Sequence, residues 1–440
     1  MIQAYNGPMR YPLPSEFAMR SRLNDELHAH PYEPLTPPEH VVSIAMLTGE
    51  EQHDQVDAHL ASLCEHFGKQ TPKESIRWRM DFGSFRMKVE KHQEFTRYKL
   101  VSKPDTKAQD DLFSDSPLAL LPEGWLAALP GEMLVAIDIV ILPYPDNASP
   151  RQLVDEYSGY FDATTLTASQ VGRSSNVAFT DFQIRDDGMS RLLVFTKAKL
   201  PSQIGRLTHR LIEMETYRMM AFLAVPEARR LLKELPLADA RLTQLTRAIS
   251  DGEGVDDEAL MHQLTTLAAS VENLVATHYR RFSATQAYFS LVFKRLNELH
   301  EEPIETMPTI GGILERRLEP ARDTCDSVSH WLTQLATRVS KTTQLLRTRI
   351  DVQHEKQNQE MLAAMNRRFQ LQLRLQQAAE LLSIAIFTYY TVNLLDYVCQ
   401  ELALLAGIPL ESLLVKSVAA PVLALSAFLL MRRLRSKRDI

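Results

Sequence analysis

The first two hundred residues alternate between extended and helical hydrophobic patterns. Val41 to Leu47 is an apolar, β-branched run that predicts a buried strand. Gln52 to Phe67 places apolar residues on one face at helical spacing and predicts an amphipathic helix. Ile76 to Ser102 alternates in the manner of strands, with breaks at Gly83 and near Gln93, which indicates a meander.

Two later stretches extend this pattern. Glu132 to Leu142 predicts another strand, and Val177 to Lys197 predicts a hairpin whose turn lies at Asp186-Asp187-Gly188. Phe17 to His30 predicts a short helix that ends at Pro31. Together these elements predict an α+β fold, with a largely antiparallel sheet in a cytoplasmic domain over residues 1–200.

After Pro201 the strand pattern disappears and helical patterns follow one another. Ile204 to Phe222, about Asp257 to Leu299 and about Ile310 to Leu382 are three amphipathic stretches, and the last leads directly into an apolar segment. Helices this long need partners along their apolar faces. We therefore predict a long-helix bundle or stalk over residues 201–380.

Two apolar stretches near the C-terminus predict a pair of membrane-spanning helices over residues 381–431. Leu381 to Cys399 carries only Asp396 as a charged residue, and Leu413 to Met431 carries only Lys416. Each has about the length that a helix needs to cross a hydrocarbon core of roughly 30 Å. The alternative is a pair of buried helices in a soluble core, but apolar runs this long and poor in charge are uncommon there.

The distribution of basic residues predicts the orientation of these helices. Residues 432–440 form a basic tail, and Arg367, Arg368 and Arg374 precede the first apolar stretch, whereas the connector has only Lys416 near it. By the positive-inside rule, both termini lie in the cytoplasm of a multi-pass protein of the bacterial inner membrane. The lipid bilayer is then the first expected partner.

The composition gives no sign of a nucleic-acid-binding protein or of a secreted one. The chain has 45% hydrophobic and 24% charged residues, which is typical of a globular protein, and its formal net charge of -6 gives no reason to expect nucleic acid as a partner. The three cysteines are far apart and lack metal-ligand spacing, which favours a reducing compartment. Met1 to Pro14 shows no basic region followed by an apolar run, so no cleaved signal peptide is expected.

The densest polar cluster precedes the first strand. Asn24, Glu26, His28 and Pro31 form this candidate functional cluster, in which Glu26 and His28, with His30, have the chemistry to contact a metal or act as acid and base. The competing interpretation is a helix end whose polar groups cap the turn before Pro31. Phosphate-cradling loops and recognisable nucleophile or zinc-ligand motifs are missing from the sequence. It therefore gives no evidence of an enzyme or a cofactor.

A second polar set lies within the first predicted span and consists of Tyr389, Tyr390, Asn393 and Asp396. Polar residues at bilayer depth face a helix interface or a water-filled path. One interpretation is that they join the two helices and neighbouring subunits, and the other is that they line a conduction path.

Several of these segments resemble a family of membrane-anchored bacterial proteins with a domain of unknown function. Asn24 to Pro31 is similar to its Asn-Glu-Leu-His-Ala-Arg-Pro signature, with one inserted residue and His30 at the arginine position. Trp78 to Glu90, Glu215 to Met219 and Leu371 to Gln377 also match. The resemblance covers nearly the whole chain and implies a membrane anchor, but no activity.

The predicted architecture also resembles the CorA-type magnesium transporters. Those proteins carry Tyr-Gly-Met-Asn at the end of their first span, and here Tyr390-Thr391-Val392-Asn393 keeps the tyrosine and the asparagine. Two hypotheses follow. The first is a membrane-anchored homo-oligomer whose cytoplasmic domain senses or scaffolds, and the alternative is a CorA-like divalent-cation channel, for which Mg²⁺ is the expected ion.

Overall fold

The computed structural model describes residues 15, 17–20, 24, 32–71, 77–104, 111–251, 256–406 and 412–436. The chain divides into two compact units. The first unit comprises Met1–Glu253 and His262–Lys341, and the second comprises Gly254–Met261 and Thr342–Ile440. The four-part division predicted from the sequence stays a prediction.

Over the part of the chain that is described, nine strands form one mixed sheet in the order β2-β3-β4-β1-β5-β8-β7-β6-β9. Neighbouring strands run antiparallel except for β5 and β8, which are parallel. The strands are β1 Glu39–Leu47, β2 Arg77–Asp81, β3 Phe85–Lys91, β4 Phe95–Ser102, β5 Glu132–Pro143, β6 Thr167–Val171, β7 Asn176–Ile184, β8 Ser190–Thr196 and β9 Glu302–Pro303.

The helices are short within the sheet region and long after it. They are α1 His53–His66, α2 Pro150–Tyr157, α3 Pro201–Phe222, α4 Val225–Asp251, α5 Asp257–Leu299, α6 Ile310–Ala406 and α7 Ser412–Ser436. Helix α6 has 97 residues and continues without a break through the first predicted span.

The two faces of the sheet differ in chemistry because successive side chains of a strand point to opposite faces. On one face, Val42, Ile44 and Met46 of β1 share a buried apolar core with Val56 and Leu60 of α1. A second apolar core on the other half of the sheet includes side chains of α2, β6, β7 and β8. These two cores explain why the apolar positions of the strands alternate.

The opposite face of β1, β4 and β3 carries charged residues. Arg97 of β4 pairs with Ala45 of β1 on one side and with Glu90 of β3 on the other. Lys99 of β4 likewise lies between Ser43 of β1 and Lys88 of β3. Arg97 and Lys99 are buried all the same. This face is therefore covered, and its charges must be paired within the fold.

The structure confirms the predicted strand in β1, the helix in α1, the hairpin of β7 and β8, and the bounds of α5. It adds α2, α4, β6 and β9, which the hydrophobic pattern did not predict. Helix α2 has eight residues and begins at a capping box formed by Ser149 and Gln152. Helix α4 contains Pro236, a residue that normally ends a helix.

Candidate functional site

The N-terminal cluster lies mostly outside the described residues. Glu26, His28 and Pro31 fall there, and Asn24 is helical and exposed. The role of this cluster stays a prediction. Among the residues with described coordinates, no group of three or more His, Cys, Asp or Glu side chains is arranged to hold a metal ion.

The second predicted set is placed along α6. The rings of Tyr389 and Tyr390 meet edge to face with their centroids 5.6 Å apart, and both side chains are exposed. Asp396 is buried, and its Oδ2 atom accepts hydrogen bonds from Lys416 Nζ at 2.9 Å and Gln400 Nε2 at 3.1 Å. Asn393 is half-buried. The structure thus brings Asp396 to α7 and leaves the tyrosines on the surface.

The C-terminal part of α6 has an exposed apolar surface. Within the searched residues, α6 is the one helix long and apolar enough to cross a membrane, and α7 adds a shorter apolar stretch, Lys416–Leu429. Only 6% of the apolar window of α6 is buried. The larger exposed side chains of this surface are Leu381, Leu382, Ile386, Phe387, Leu394, Leu395, Val398, Leu402, Leu404 and Leu405.

The first unit also contains an open cleft of about 800 Å³, which we call the arginine cleft. It is formed by the end of β7, the end of α3, the beginning of α4 and the beginning of α6. Its charged lining residues are Arg218, Arg229, Arg316, Arg317 and Asp181. Its apolar lining residues include Phe182, Phe222, Val225, Pro226, Pro308, Ile313, Leu314 and Pro320.

Two of the five charges in the cleft are already neutralised. Asp181 forms an ion pair with Arg185 and accepts backbone N–H groups of Asp162 at 2.9 Å and Gln183 at 3.0 Å. Arg218 binds Glu215 through both Nε and Nη2. Burial alone would lower the pKa of Arg218, but the charge and hydrogen bonds of Glu215 outweigh it and raise the pKa.

The remaining three guanidinium groups form a surplus of positive charge. Among the described residues, no ion pair joins Arg229, Arg316 or Arg317 to an acidic side chain, and Arg316 donates to the carbonyl oxygen of Gly312 at 3.3 Å. All three are exposed. The cleft therefore presents an apolar wall and a cationic rim.

Phe182 holds a strained position in the wall of the cleft. It lies where the register of β7 and β8 shifts, and its φ of 56° is in the left-handed region that a bulky residue seldom adopts. The guanidinium carbon of Arg218 lies 5.5 Å from the centroid of the Phe182 ring and 6.0 Å from that of Phe222. Strained residues of this kind cluster at binding sites, where the surrounding structure holds them in place.

Under the charged face of the sheet, α3 and α5 complete a buried ionic layer. Arg97 donates to Glu90, with Nη1 3.4 Å from Oε2, and its guanidinium lies 5.9 Å from the ring centroid of Tyr217. Glu213 of α3 binds Arg295 of α5 at 2.6 Å. These paired charges join the sheet to helices α3 and α5.

Sequence reasoning missed the arginine cleft because its residues come from distant segments. Two local signals were present, namely the adjacent pair Arg316-Arg317 before Pro320 and the segment from Glu215 to Met219 that carries Arg218.

Residues 15–438 match the model of a protein family described as "Protein of unknown function (DUF3422)". The chain belongs to the DUF3422 family. No curated protein and no solved structure matches the chain significantly.

The DUF3422 match confirms the part of the sequence-based resemblance that concerned a domain of unknown function. It covers both the arginine cleft and the apolar part of α6. The match adds no support for membrane anchoring or for a likeness to the CorA transporters.

Proposed function

We propose that this DUF3422 protein is a membrane-anchored homo-oligomer whose N-terminal part senses or scaffolds in the cytoplasm, without enzymatic activity. The observation that carries the proposal is the exposed apolar surface of α6 after residue 380. Each Å² of apolar surface left in water costs about 25 cal/mol, so a continuous surface of this kind needs a cover. A hydrocarbon core supplies one.

The basic residues near the C-terminus support the orientation that was predicted from the sequence. The basic residues from Arg432 to Arg438 come after the apolar stretch of α7, and basic residues are retained on the cytoplasmic side. Helix α7 would return the chain across the bilayer, with Lys416 bound to Asp396 rather than exposed alone to lipid. Both termini would then lie in the cytoplasm of a bacterial cell.

A polar residue of α6 supports the proposed assembly into a homo-oligomer. Asn393 would leave an amide without partners on a surface that faces lipid, so it is expected to turn towards another helix. A copy of the chain is the partner we propose. The alternative, a divalent-cation channel, would instead use Tyr390 and Asn393 to line a path between copies.

The anchor can be tested by fractionating cells that produce the full chain or a chain lacking residues 381–440. We expect the full chain in membranes after alkaline carbonate washing and the shortened chain in the soluble fraction. A paired substitution, Ile386→Arg with Leu394→Arg, should release the full chain as well. The matched control, Gln353→Arg with Gln357→Arg, changes exposed polar positions of the same helix and should stay in the membrane. A wild-type chain that washes off would refute the anchor.

Topology, assembly and the channel alternative need three further measurements. Reporter fusions at Ile440 and in the connector should give cytoplasmic and periplasmic signals, respectively. Native mass spectrometry in detergent should show a multimer, and a monomer would contradict both the assembly and the channel alternative. A liposome flux assay with Mg²⁺ separates the two readings, because only a channel conducts.

A further inference from the structure

We propose that the arginine cleft binds a small organic phosphate, that is, one or more phosphate groups joined to an apolar or aromatic body. This ligand would be the molecule that the protein senses, so the inference rests on the sensing role in the proposed function. It does not depend on the membrane anchor.

The charge of the cleft selects an anion. Arg229 approaches from α4, while Arg316 and Arg317 approach from the first turns of α6. Because Asp181 is held by Arg185 and Arg218 by Glu215, the rim keeps about three positive charges for a ligand. An anion between the two helices would relieve the mutual repulsion of these charges.

The type of charge favours phosphate over a single carboxylate. A guanidinium donates two parallel N–H groups, which match the oxygens of a phosphate, and three such groups exceed what one carboxylate accepts.

The apolar wall requires more than inorganic phosphate. Phe182, Phe222, Val225 and Leu314 line one cleft with the arginines, and its volume of about 800 Å³ falls in the range of sites for small organic ligands. A free phosphate would leave this wall in water, whereas an attached apolar or aromatic body would cover it. The wall is already ordered, because Arg218 stacks on both phenylalanines and is fixed by Glu215.

Two sources supply this chemistry, a soluble nucleotide and the headgroup region of an anionic lipid. We would titrate the full-length protein, purified in a neutral detergent, by calorimetry with three probes. The probes are pyrophosphate, ATP, and dihexanoyl phosphatidylglycerol below its micelle concentration. Each titration is repeated with a cleft variant, Arg229→Gln, Arg316→Gln and Arg317→Gln combined.

The matched control combines Arg247→Gln, Lys341→Gln and Arg347→Gln, which removes three positive charges from exposed positions of α4 and α6 outside the cleft. We expect the cleft variant to bind at least tenfold more weakly and the control to stay within twofold of wild type. Loss of ATP binding supports a soluble ligand, and loss confined to the lipid probe supports the lipid source.

Two results would overturn the proposal: no measurable binding of any probe by the wild-type protein, or an equal loss in the control. Carbonate washing of membranes from the same variants keeps this test separate from the proposed anchor. A cleft variant that stays in the membrane but loses the ligand leaves the anchor intact, and a protein that washes off but binds the ligand leaves the cleft intact. Thermal melts of both variants show whether either has lost its fold.

Discussion

The Nε atom of Arg295 lies 2.6 Å from Oε2 of Glu213, and this bond joins α5 to α3. The other carboxylate oxygen of Glu213 accepts the hydroxyl of Tyr217 at 3.0 Å and lies 3.3 Å from Nε2 of His209. One carboxylate thus organises the helical side of the buried ionic layer, next to Arg97 of the sheet.

We expect Glu213→Ala to destabilise the first unit strongly. The change removes the buried carboxylate that binds Nε of Arg295, leaving Arg295 with only the more exposed Glu298, and removing one partner of a buried ion pair costs about 3–5 kcal/mol. Glu298→Ala is the control, because Glu298 also binds Arg295 but is 30% exposed and should cost less than about 1 kcal/mol. Urea unfolding of the full chain in detergent measures both. Equal effects would show that burial of the layer is unimportant.

Acid should unfold the same layer. Burial raises the pKa of Glu90, but the charges of Arg97 and Lys88 lower it to about 2. Burial also raises the pKa of Glu213, and His209, Arg97 and Arg295 lower it below the ordinary range. Carboxylates with lowered pKa values stabilise the fold above their unfolded pKa and lose this effect as pH falls.

The expected loss for Glu90 is about 3 kcal/mol between roughly pH 4.5 and 2. In Glu90→Gln this part of the pH dependence should disappear, although the variant is less stable at pH 7. Melting temperatures of both proteins between pH 7 and 3 test this expectation. Parallel curves for the two proteins would contradict it.

Local patterns predicted the elements that have one apolar face. Val42, Ile44 and Met46 alternate, and Val56 and Leu60 repeat at helical spacing, so β1 and α1 could be predicted from short windows of sequence. The parallel pairing of β5 with β8 could not, because it joins residues such as Ile137 and Ser190 that no local pattern relates.

The same limit applies to the candidate sites. Asp396 could be singled out because it is a charge in an apolar run, but its bond to Lys416 depends on how two helices pack. The arginine cleft is harder still. Arg229 and Arg316 come from different helices, and each is an ordinary exposed arginine in its own segment. Only the fold brings them to one opening.

At Gly205, α3 lies very close to the backbone of the segment before β1. A Cβ atom added at Gly205 would lie 1.9 Å from the carbonyl oxygen of Glu33, whose carboxylate binds Arg86 at 3.1 Å. Gly205→Ala must therefore displace the backbone at Glu33, and we expect it to cost about 2 kcal/mol or more. Gly159→Ala is the control because a Cβ there meets open space. Urea unfolding of both variants decides, and equal stabilities would refute the close approach.

The ion pair between Asp396 and Lys416 should stabilise the contact between α6 and α7. Asp396 is 6% exposed and Lys416 Nζ lies 2.9 Å from its Oδ2 atom, so the pair joins α6 to α7 within the second unit. Lys416→Asp and Asp396→Lys each place like charges together and should lower the melting temperature of the full chain in detergent. The exchanged double variant should recover most of the loss, with a coupling energy of about 1 kcal/mol. A coupling of this size also ties the two helices together at the level where we propose that they enter the bilayer. Additive effects of the two single changes would mean that the pair is not formed in the protein, and α7 would then need another partner for its place beside α6.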